Sequence, residues 1–282
     1  EPCSHHGVTP PCTDIIINKK IKNVYFSIKD VDLRSAGKSG VLFSRKKIFF
    51  EKGFFHKFAK NFYKDFFLKY KKKLPLIDAK IAISNDYFTV NKKNKWITNE
   101  HSRKRVHLLR SRYSGIVSSS RTINHDNSLL NCRINGLENK SPDIFIIDRN
   151  LNINKKSKIF LIKKRKVFII TYIKNKKKCN FFDKNVKFIF INKLNDKKDY
   201  YLLFSKINIL GYNSLLIESG LTLFNYFYKN NLINNLYTFK SNINLKKEGT
   251  NYSNNYIIKR IKLEKKISVN LYNDKLYKTN LK

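Results

Sequence analysis

Short, almost wholly apolar runs recur through the later part of the chain, separated by polar segments rich in Lys and Asn. Runs of this kind are typical of strands in a sheet that is covered on both faces. We predict strands at 76–84, 116–118, 144–148, 159–162, 167–170, 188–191 and 215–217.

Helical patterns lie between these strands. A helix is predicted after Thr98, its N-cap, with Glu100 in its first turn; it continues through Arg110, and Gly115 is its C-cap. A second helix, over 221–229, follows the turn at Gly220. Alternating strands and helices predict an α/β sheet that binds ligands at the carboxyl ends of its strands.

The first part of the chain has a different pattern. An apolar helix is predicted after Cys12 and a buried strand over 24–28. The aromatic residues of 49–73 have helical spacing, and we interpret them as the core face of a connector helix. A Leu-Pro pair at 74–75 then marks a boundary. We therefore expect two domains, 1–73 and 74–282.

Composition limits the function. The chain has 282 residues, and 59 Lys and Arg against 20 Asp and Glu give a net charge of +39. This charge, with the Lys and Phe of 49–73, leaves open an alternative in which the protein is a basic nucleic-acid-binding module. We prefer a general compositional bias that also attracts phosphorylated substrates, with no nucleic-acid partner. No apolar run reaches the length of a membrane span, so a cytoplasmic protein without membrane contact is expected.

Cysteine spacing points to a metal. Cys3 and Cys12 lie in a loop with two Pro-Cys pairs and two His, and can aim two thiolates at one Zn²⁺. A disulfide between them is conceivable, but nothing indicates secretion. Cys132 and Cys179 have no partner motif. The chain starts at Glu1 and contains no Met, so we expect that a natural N-terminal segment is missing.

The loop Glu-Pro-Cys-Ser-His-His-Gly-Val-Thr-Pro-Pro-Cys resembles the zinc loop of the bifunctional riboflavin-biosynthesis deaminase–reductase family. The resemblance implies that Cys3 and Cys12 are zinc ligands in part of a cytidine-deaminase-like α/β/α domain. The family's third ligand, a His, and its proton-shuttling Glu lie upstream of Glu1. We therefore name no catalytic residue and expect the chain as given to be unable to deaminate.

The rest of the chain resembles the reductase half of the same family, over about 76–237. Matching segments occur in the family's order at 79–86, 95–98, 103–110, 122–130 and 217–223. The resemblance implies a dihydrofolate-reductase-like α/β domain that uses NADPH to reduce 5-amino-6-(5-phosphoribosylamino)uracil to its ribitylamino product.

The resemblance also implies site residues. Cofactor contacts fall on Ala82, Trp96, Thr122, Asp126, Gly220, Leu221, Thr222, Leu223, Phe224, Asn225 and Tyr226. Contacts to the phosphorylated pyrimidine substrate fall on Asn94, Arg110, Leu130, Arg133 and Glu218. Physical reasoning agrees, since two arginines can bind a phosphate as forks and the Gly220 turn opens a helix suited to a pyrophosphate.

Some residues depart from the family's pattern. Asn94 replaces a usual Ser, and Ser219 and Leu221 replace a small residue and a Pro in the turn around Gly220. They motivate another alternative, an inactive and drifting member of the family. A homodimer or larger homo-oligomer is possible.

Overall fold

The chain forms two compact units, Glu1–Pro75 and Leu76–Lys282, in a computed structural model. The structure describes residues 1–67, 73–162, 164–182, 185–253 and 256–282. Part of the predicted connector helix, 68–72, lies outside these residues.

The first unit is small and built around a two-stranded parallel pairing. Its elements are α1 (Cys12–Asn18), β1 (Asn23–Phe26), α2 (Lys38–Arg45), β2 (Phe49–Lys52), α3 (His56–Phe62) and α4 (Lys64–Phe67). β1 and β2 run parallel, with Val24 opposite Phe50. Val24 and Phe43 are buried, and the Phe50 ring lies 6.2 Å from that of Phe43. The helix predicted after Cys12 is confirmed. A strand is also present where one was predicted, but it spans Asn23–Phe26 rather than 24–28, and Val24 is its buried residue, so the prediction that the strand is buried is wrong.

The aromatic stripe of this unit faces solvent. Phe58 and Phe62 stack at 6.2 Å along α3, as their spacing predicts, but they are 70% and 67% exposed. The buried residue of α3 is Ala59. The prediction that these rings form a core face is therefore wrong for the described residues, because helical periodicity identifies a face without saying what covers it.

The second unit is an α/β domain. Its elements are β3 (Leu76–Ile83), β4 (Val90–Asn91), α5 (Glu100–Arg110), β5 (Gly115–Ser119), α6 (Ser120–Asp126), β6 (Asp143–Ile147), β7 (Val167–Tyr172), β8 (Val186–Ile191), α7 (Lys197–Ile209), β9 (Ser214–Ile217), α8 (Leu221–Lys229), β10 (Asn235–Lys240), β11 (Gly249–Thr250), α9 (Tyr256–Arg260), β12 (Lys265–Lys266) and β13 (Lys275–Asn280).

Over the described residues the main sheet has the strand order β12-β13-β10-β3-β9-β5-β6-β7-β8. From β10 to β8 all neighbours are parallel, and β13 joins the β10 edge antiparallel. The apolar runs of β6 and β7 are buried at nearly every position, as expected of strands covered on both faces. The predicted α/β class is confirmed.

Three local predictions are wrong: the N-cap of α5, the strand over 159–162, and the role of Gly115 as a C-cap. The N-cap of α5 is Asn99 rather than Thr98, and its Oδ1 accepts the Ser102 N–H at 2.9 Å. Asn99 is chosen because Asp274, from the end of the chain, also accepts its backbone N–H at 2.9 Å. Residues 158–161 form a short 3₁₀ turn and not a strand. Four apolar residues alone do not distinguish these structures.

Gly115 begins β5 and does not cap α5. A Cβ at this position would lie 2.7 Å from Phe145 Cε2 and 2.9 Å from Leu215 Cδ2. The glycine is required because neighbouring strands pack their side chains against its Cα.

Candidate active site

A cleft of about 1390 Å³ opens in the second unit beside the carboxyl ends of the parallel strands. The ends of β3, β5, β6 and β9 contribute to its wall, together with α6 and the first turn of α8. Chain order reverses in this part of the sheet, where β3 and β5 flank β9. Open α/β sheets bind ligands in the crevice at such a point.

The Glu218 carboxylate, directly after β9, lines this cleft. Arg110 donates to it twice, from Nε to Oε1 at 2.6 Å and from Nη2 to Oε2 at 3.0 Å. Lys80 Nζ, on β3, lies 3.1 Å from Oε2. Glu218 is 5% exposed, so one buried carboxylate joins cations from a strand and a helix.

The charge state of Glu218 follows from these partners. Burial alone raises the pKa of a carboxyl group, but here the positive charges and hydrogen bonds of Arg110 and Lys80 outweigh it. Together they lower the pKa of Glu218 to about 2. The group is therefore a carboxylate at neutral pH, and it fixes the two cations in place.

Arg110 is also tied to the loop that follows α6. Its Nη1 donates to the Asn131 carbonyl at 3.0 Å. All three guanidinium nitrogens of Arg110 thus have protein acceptors, and its fork faces Glu218. A phosphate would find the fork of Arg110 already occupied.

Arg133 is the more open guanidinium. It is exposed, and its Nη2 lies 3.1 Å from His107 Nε2. The other ring nitrogen of His107, Nδ1, lies 2.8 Å from the Asn131 carbonyl oxygen. His107 therefore connects Arg133 to the loop carbonyl that Arg110 also binds.

The first turn of α8 opens into the cleft. Its N-cap is Gly220, which offers no side-chain cap, and the Gly220 N–H donates to Thr122 Oγ1 at 3.0 Å. A Cβ at Gly220 would meet only Thr122 Oγ1, at an ordinary 3.6 Å. Internal packing therefore does not require a glycine, and its absent side chain leaves the helix N-terminus open to an anion.

Trp96 forms an exposed apolar surface in the same cleft. It is 52% exposed, and Arg103 lies 4.9 Å from its ring centroid. Lys95 lies 5.3 Å from the ring. An exposed indole with cations nearby is suited to stacking against a flat, anionic ligand group.

The cleft is strongly basic. Seven Lys and Arg side chains line it against three carboxylates. An excess of positive charge in a concave site concentrates anionic ligands. The positive charge of the cleft is complementary to the negative charge of phosphorylated ligands.

Most residues predicted from the family resemblance lie in this cleft. The cleft is lined by Ala82, Trp96, Arg110, Thr122, Asp126, Leu130, Arg133, Glu218, Gly220, Leu221, Thr222, Leu223 and Tyr226. Phe224 and Asn225 are instead buried in α8, and Asn94 lies on an exposed turn beside the lining residue Lys95.

Two residues in this network were not predicted. Lys80 lies within a quoted matching segment, but its pairing with Glu218 depends on β3 and β9 being neighbours. His107 lies within the matching segment 103–110, one helical turn before Arg110, but its contact with Arg133 depends on the fold.

The thiols predicted to bind zinc lie together in the first unit. The Cys12 N–H donates to Cys3 Sγ at 3.2 Å, and hydrogen bonding to Cys3 together with burial raises the pKa of Cys12. Within the part of the chain that the structure describes, no three His, Cys, Asp or Glu side chains converge as a metal site. His5 Nδ1 lies 2.7 Å from Ser35 Oγ, and Glu1 accepts from Ser39 Oγ at 2.7 Å. The described residues therefore supply two sulfur donors and do not by themselves fit a zinc centre.

No helix among the described residues has the length and apolar character needed to cross a membrane. The fold and cleft define an α/β domain with a basic cleft beside a largely parallel sheet. The chain belongs to the family described as RibD C-terminal domain, whose model matches residues 75–242.

Curated relatives agree with this assignment. The chain is 29% identical over 222 residues to the riboflavin biosynthesis protein RibD of Aquifex aeolicus, covering 78% of this chain and 61% of the relative. It is 31% identical over 258 residues to the RibD of Buchnera aphidicola subsp. Baizongia pistaciae, covering 84% and 66%. The chain thus spans less than two thirds of the length of these relatives.

Solved structures confirm the fold. The diaminohydroxyphosphoribosylaminopyrimidine deaminase/5-amino-6-(5-phosphoribosylamino)uracil reductase of Thermotoga maritima has a TM-score of 0.80 and 24% identity. The match covers 99% of this chain and 77% of that one.

Proposed function

We propose that the second unit reduces the ribosyl side chain of 5-amino-6-(5-phosphoribosylamino)uracil to a ribityl chain in riboflavin biosynthesis, with NADPH as the reductant. The observation that carries the proposal is the buried carboxylate of Glu218, which fixes Arg110 and Lys80 within a basic cleft. Membership of the RibD C-terminal domain family supports the reaction class.

The cofactor fits the residues present. The open first turn of α8, beginning after Gly220, would hold the pyrophosphate, since its amides carry no side-chain cap. Trp96 and Ala82 would supply apolar surface for the rings. The Gly220 N–H donates to Thr122 Oγ1, and this hydrogen bond would hold the turn in place for that contact. When bound, NADPH supplies the hydride.

The chain's own contribution is orientation and charge. Lys80 uses its ammonium group to bind Glu218 and retains further N–H donors that can face the substrate. Arg133 presents an exposed guanidinium to the substrate phosphate. Hydride transfer needs no nucleophile. The catalytic effect therefore comes from holding NADPH and the substrate in the correct relative orientation and from excluding water.

The test is a steady-state assay of the full 282-residue chain. NADPH oxidation should depend on the phosphorylated substrate and should saturate with it. NADPH oxidation at the substrate-free rate at every substrate concentration would overturn the proposal and favour the drifting, inactive alternative.

For the first unit we propose a cytidine-deaminase-like relationship in which Cys3 and Cys12 provide two zinc ligands. The contacts between the two cysteines support this assignment, because Cys3 Sγ accepts the Cys12 backbone N–H and also hydrogen-bonds with the Cys12 side chain. Zinc titration of the full chain tests it. The wild type should bind zinc more tightly than the double variant Cys3→Ser/Cys12→Ser, and equal affinity would refute it.

A further inference from the structure

His107 occupies a buried position between two groups of opposite hydrogen-bonding character. It lies on α5, is 8% exposed, and points its two ring nitrogens at different partners. Nδ1 is 2.8 Å from the Asn131 carbonyl oxygen, and Nε2 is 3.1 Å from Arg133 Nη2. Arg110 Nη1 also lies 3.4 Å from Nδ1, but it donates to the same Asn131 carbonyl at 3.0 Å, so the carbonyl is the closer partner of both nitrogens.

These partners determine the protonation of the ring. A carbonyl oxygen only accepts, so Nδ1 must carry the hydrogen. A guanidinium only donates, so Nε2 must present its lone pair. Both contacts hold together only for the neutral imidazole with hydrogen on Nδ1. A second proton on Nε2 would point at Arg133 and remove the hydrogen bond.

The surroundings favour this neutral form. Burial lowers the pKa of His107, and so do the positive charges of Arg110, one turn along α5, and Arg133, on the loop after α6. The hydrogen bond to Asn131 and the charge of Glu218 act in the opposite direction and do not reverse the shift. At neutral pH the ring is therefore uncharged.

Arg133 depends on this contact. Within the described part of the chain, His107 is the hydrogen-bond partner of its guanidinium. Four of its five N–H groups remain for a ligand. By contrast, Arg110 is held at all three nitrogens by Glu218 and Asn131.

We propose that His107 is a positioning residue that orients Arg133 to bind the phosphate monoester of the substrate, and that it does so only as the neutral imidazole. The inference rests on the proposed function for the identity of the substrate. The anion-binding role of the His107–Arg133 pair is independent of turnover, so the two can be tested separately.

The first experiment measures binding of ribose 5-phosphate to the full chain by calorimetry, with ribose as the uncharged control. His107→Ala and Arg133→Ala should each weaken binding about tenfold, the size of one lost charge-assisted contact. The double variant should be little worse than either single variant, because both changes remove the same interaction. Unchanged binding in His107→Ala, or additive losses in the double variant, would overturn the proposal.

The second experiment separates positioning from structure. His107→Gln offers an amide oxygen to Arg133 and an amide N–H to Asn131, and it does not titrate. It should bind ribose 5-phosphate within about threefold of the wild type at neutral pH, as expected of a retained hydrogen bond. The affinity of the wild type should fall below that of His107→Gln as the pH is lowered through the pKa of His107. Parallel pH profiles of the two proteins would refute the neutral-imidazole requirement, since the phosphate titrates equally in both.

Steady-state kinetics test whether His107 acts on substrate binding rather than on catalysis or cofactor binding. In the NADPH assay His107→Ala should raise KM for the substrate about tenfold while kcat and KM for NADPH stay near wild type, as expected when ground-state and transition-state binding are lost equally. A loss confined to kcat, or to KM for NADPH, would contradict the role. If the chain binds ribose 5-phosphate as predicted but shows no turnover, the proposed reductase function is refuted and the positioning role of His107 is not.

Discussion

Arg110 and Glu218 are joined by two hydrogen bonds, Nε to Oε1 at 2.6 Å and Nη2 to Oε2 at 3.0 Å. The pair links the last residue of α5 to the residue after β9, and Lys80 of β3 adds a third charge. Because the carboxylate is buried, removing it leaves two cations without their counter-charge. Both the shape of the cleft and its electrostatic potential therefore depend on the Glu218 carboxylate.

Glu218→Gln should destabilise the second unit by about 3 kcal/mol, the usual cost of breaking a buried ion pair. Urea unfolding of the full chain measures the change. Glu248→Gln is the matched control, because its pair with Lys93, at 3.2 Å, is largely exposed and should contribute less than about 1 kcal/mol. Equal losses of unfolding free energy in the two variants would contradict the prediction that the buried ion pair of Glu218 stabilises the fold more than an exposed one.

The same carboxylate predicts a dependence of stability on acid. The pKa of Glu218 is about 2 in the folded chain against 4.5 for the free group. A lowered carboxyl pKa contributes stability that is fully present above about pH 5 and is lost as the pH falls toward 2. The difference in unfolding free energy between wild type and Glu218→Gln should therefore shrink over this range, and a constant difference would contradict it.

Thr122 supports the open end of α8 by accepting the Gly220 N–H at 3.0 Å, and its Oγ1 also lies 2.9 Å from Ser119 Oγ. Thr122→Val keeps the shape and removes the acceptor, so NADPH affinity should fall roughly fivefold, in line with one lost hydrogen bond. Thr122→Ser, which retains the hydroxyl, should bind like the wild type. Cofactor titrations that find the two variants equal would exclude this contact.

Trp96 provides a direct optical probe, because it is the one tryptophan of the chain and lines the cleft. Addition of NADPH should quench its fluorescence and transfer energy to the reduced nicotinamide. The signal should be absent in Trp96→Phe. Binding detected by calorimetry without any change in Trp96 emission would place the cofactor elsewhere.

Gly115→Ala tests the packing of the central strands. The new Cβ would lie 2.7 Å from Phe145 and 2.9 Å from Leu215, so a loss of about 2 kcal/mol is expected from overpacking. Gly7→Ala, where no atom lies within 4 Å, is the control and should leave the unfolding of the second unit unchanged. A neutral Gly115→Ala would mean that the sheet relaxes around the added methyl group.

The sequence predicts elements well where local pattern decides them. β6, β7 and the helix Leu221–Lys229 lie where their apolar runs and the preceding Gly place them. It fails where distant residues decide. The cap of α5 passes to Asn99 because Asp274 reaches it from the end of the chain. The role of Gly115 depends on Phe145 and Leu215.

In the candidate site, too, the sequence predicts which residues are present but not the contacts that depend on distant parts of the chain. Family resemblance names the residues that line the cleft, but not their partners. The fork of Arg110 faces a carboxylate and not a phosphate, because β9 places Glu218 beside it. Lys80 and His107 gain their importance from contacts that no spacing reveals.

The most direct test of the central claim follows the hydride itself. The full chain is incubated with the phosphoribosylaminouracil substrate and NADPH carrying deuterium at both positions of the nicotinamide C4. We predict one deuterium at C1′ of the ribityl product, in equal amount to the NADPH oxidised, by mass spectrometry. Oxidation of the cofactor with no deuterium in the product, or no product at all, would contradict the account.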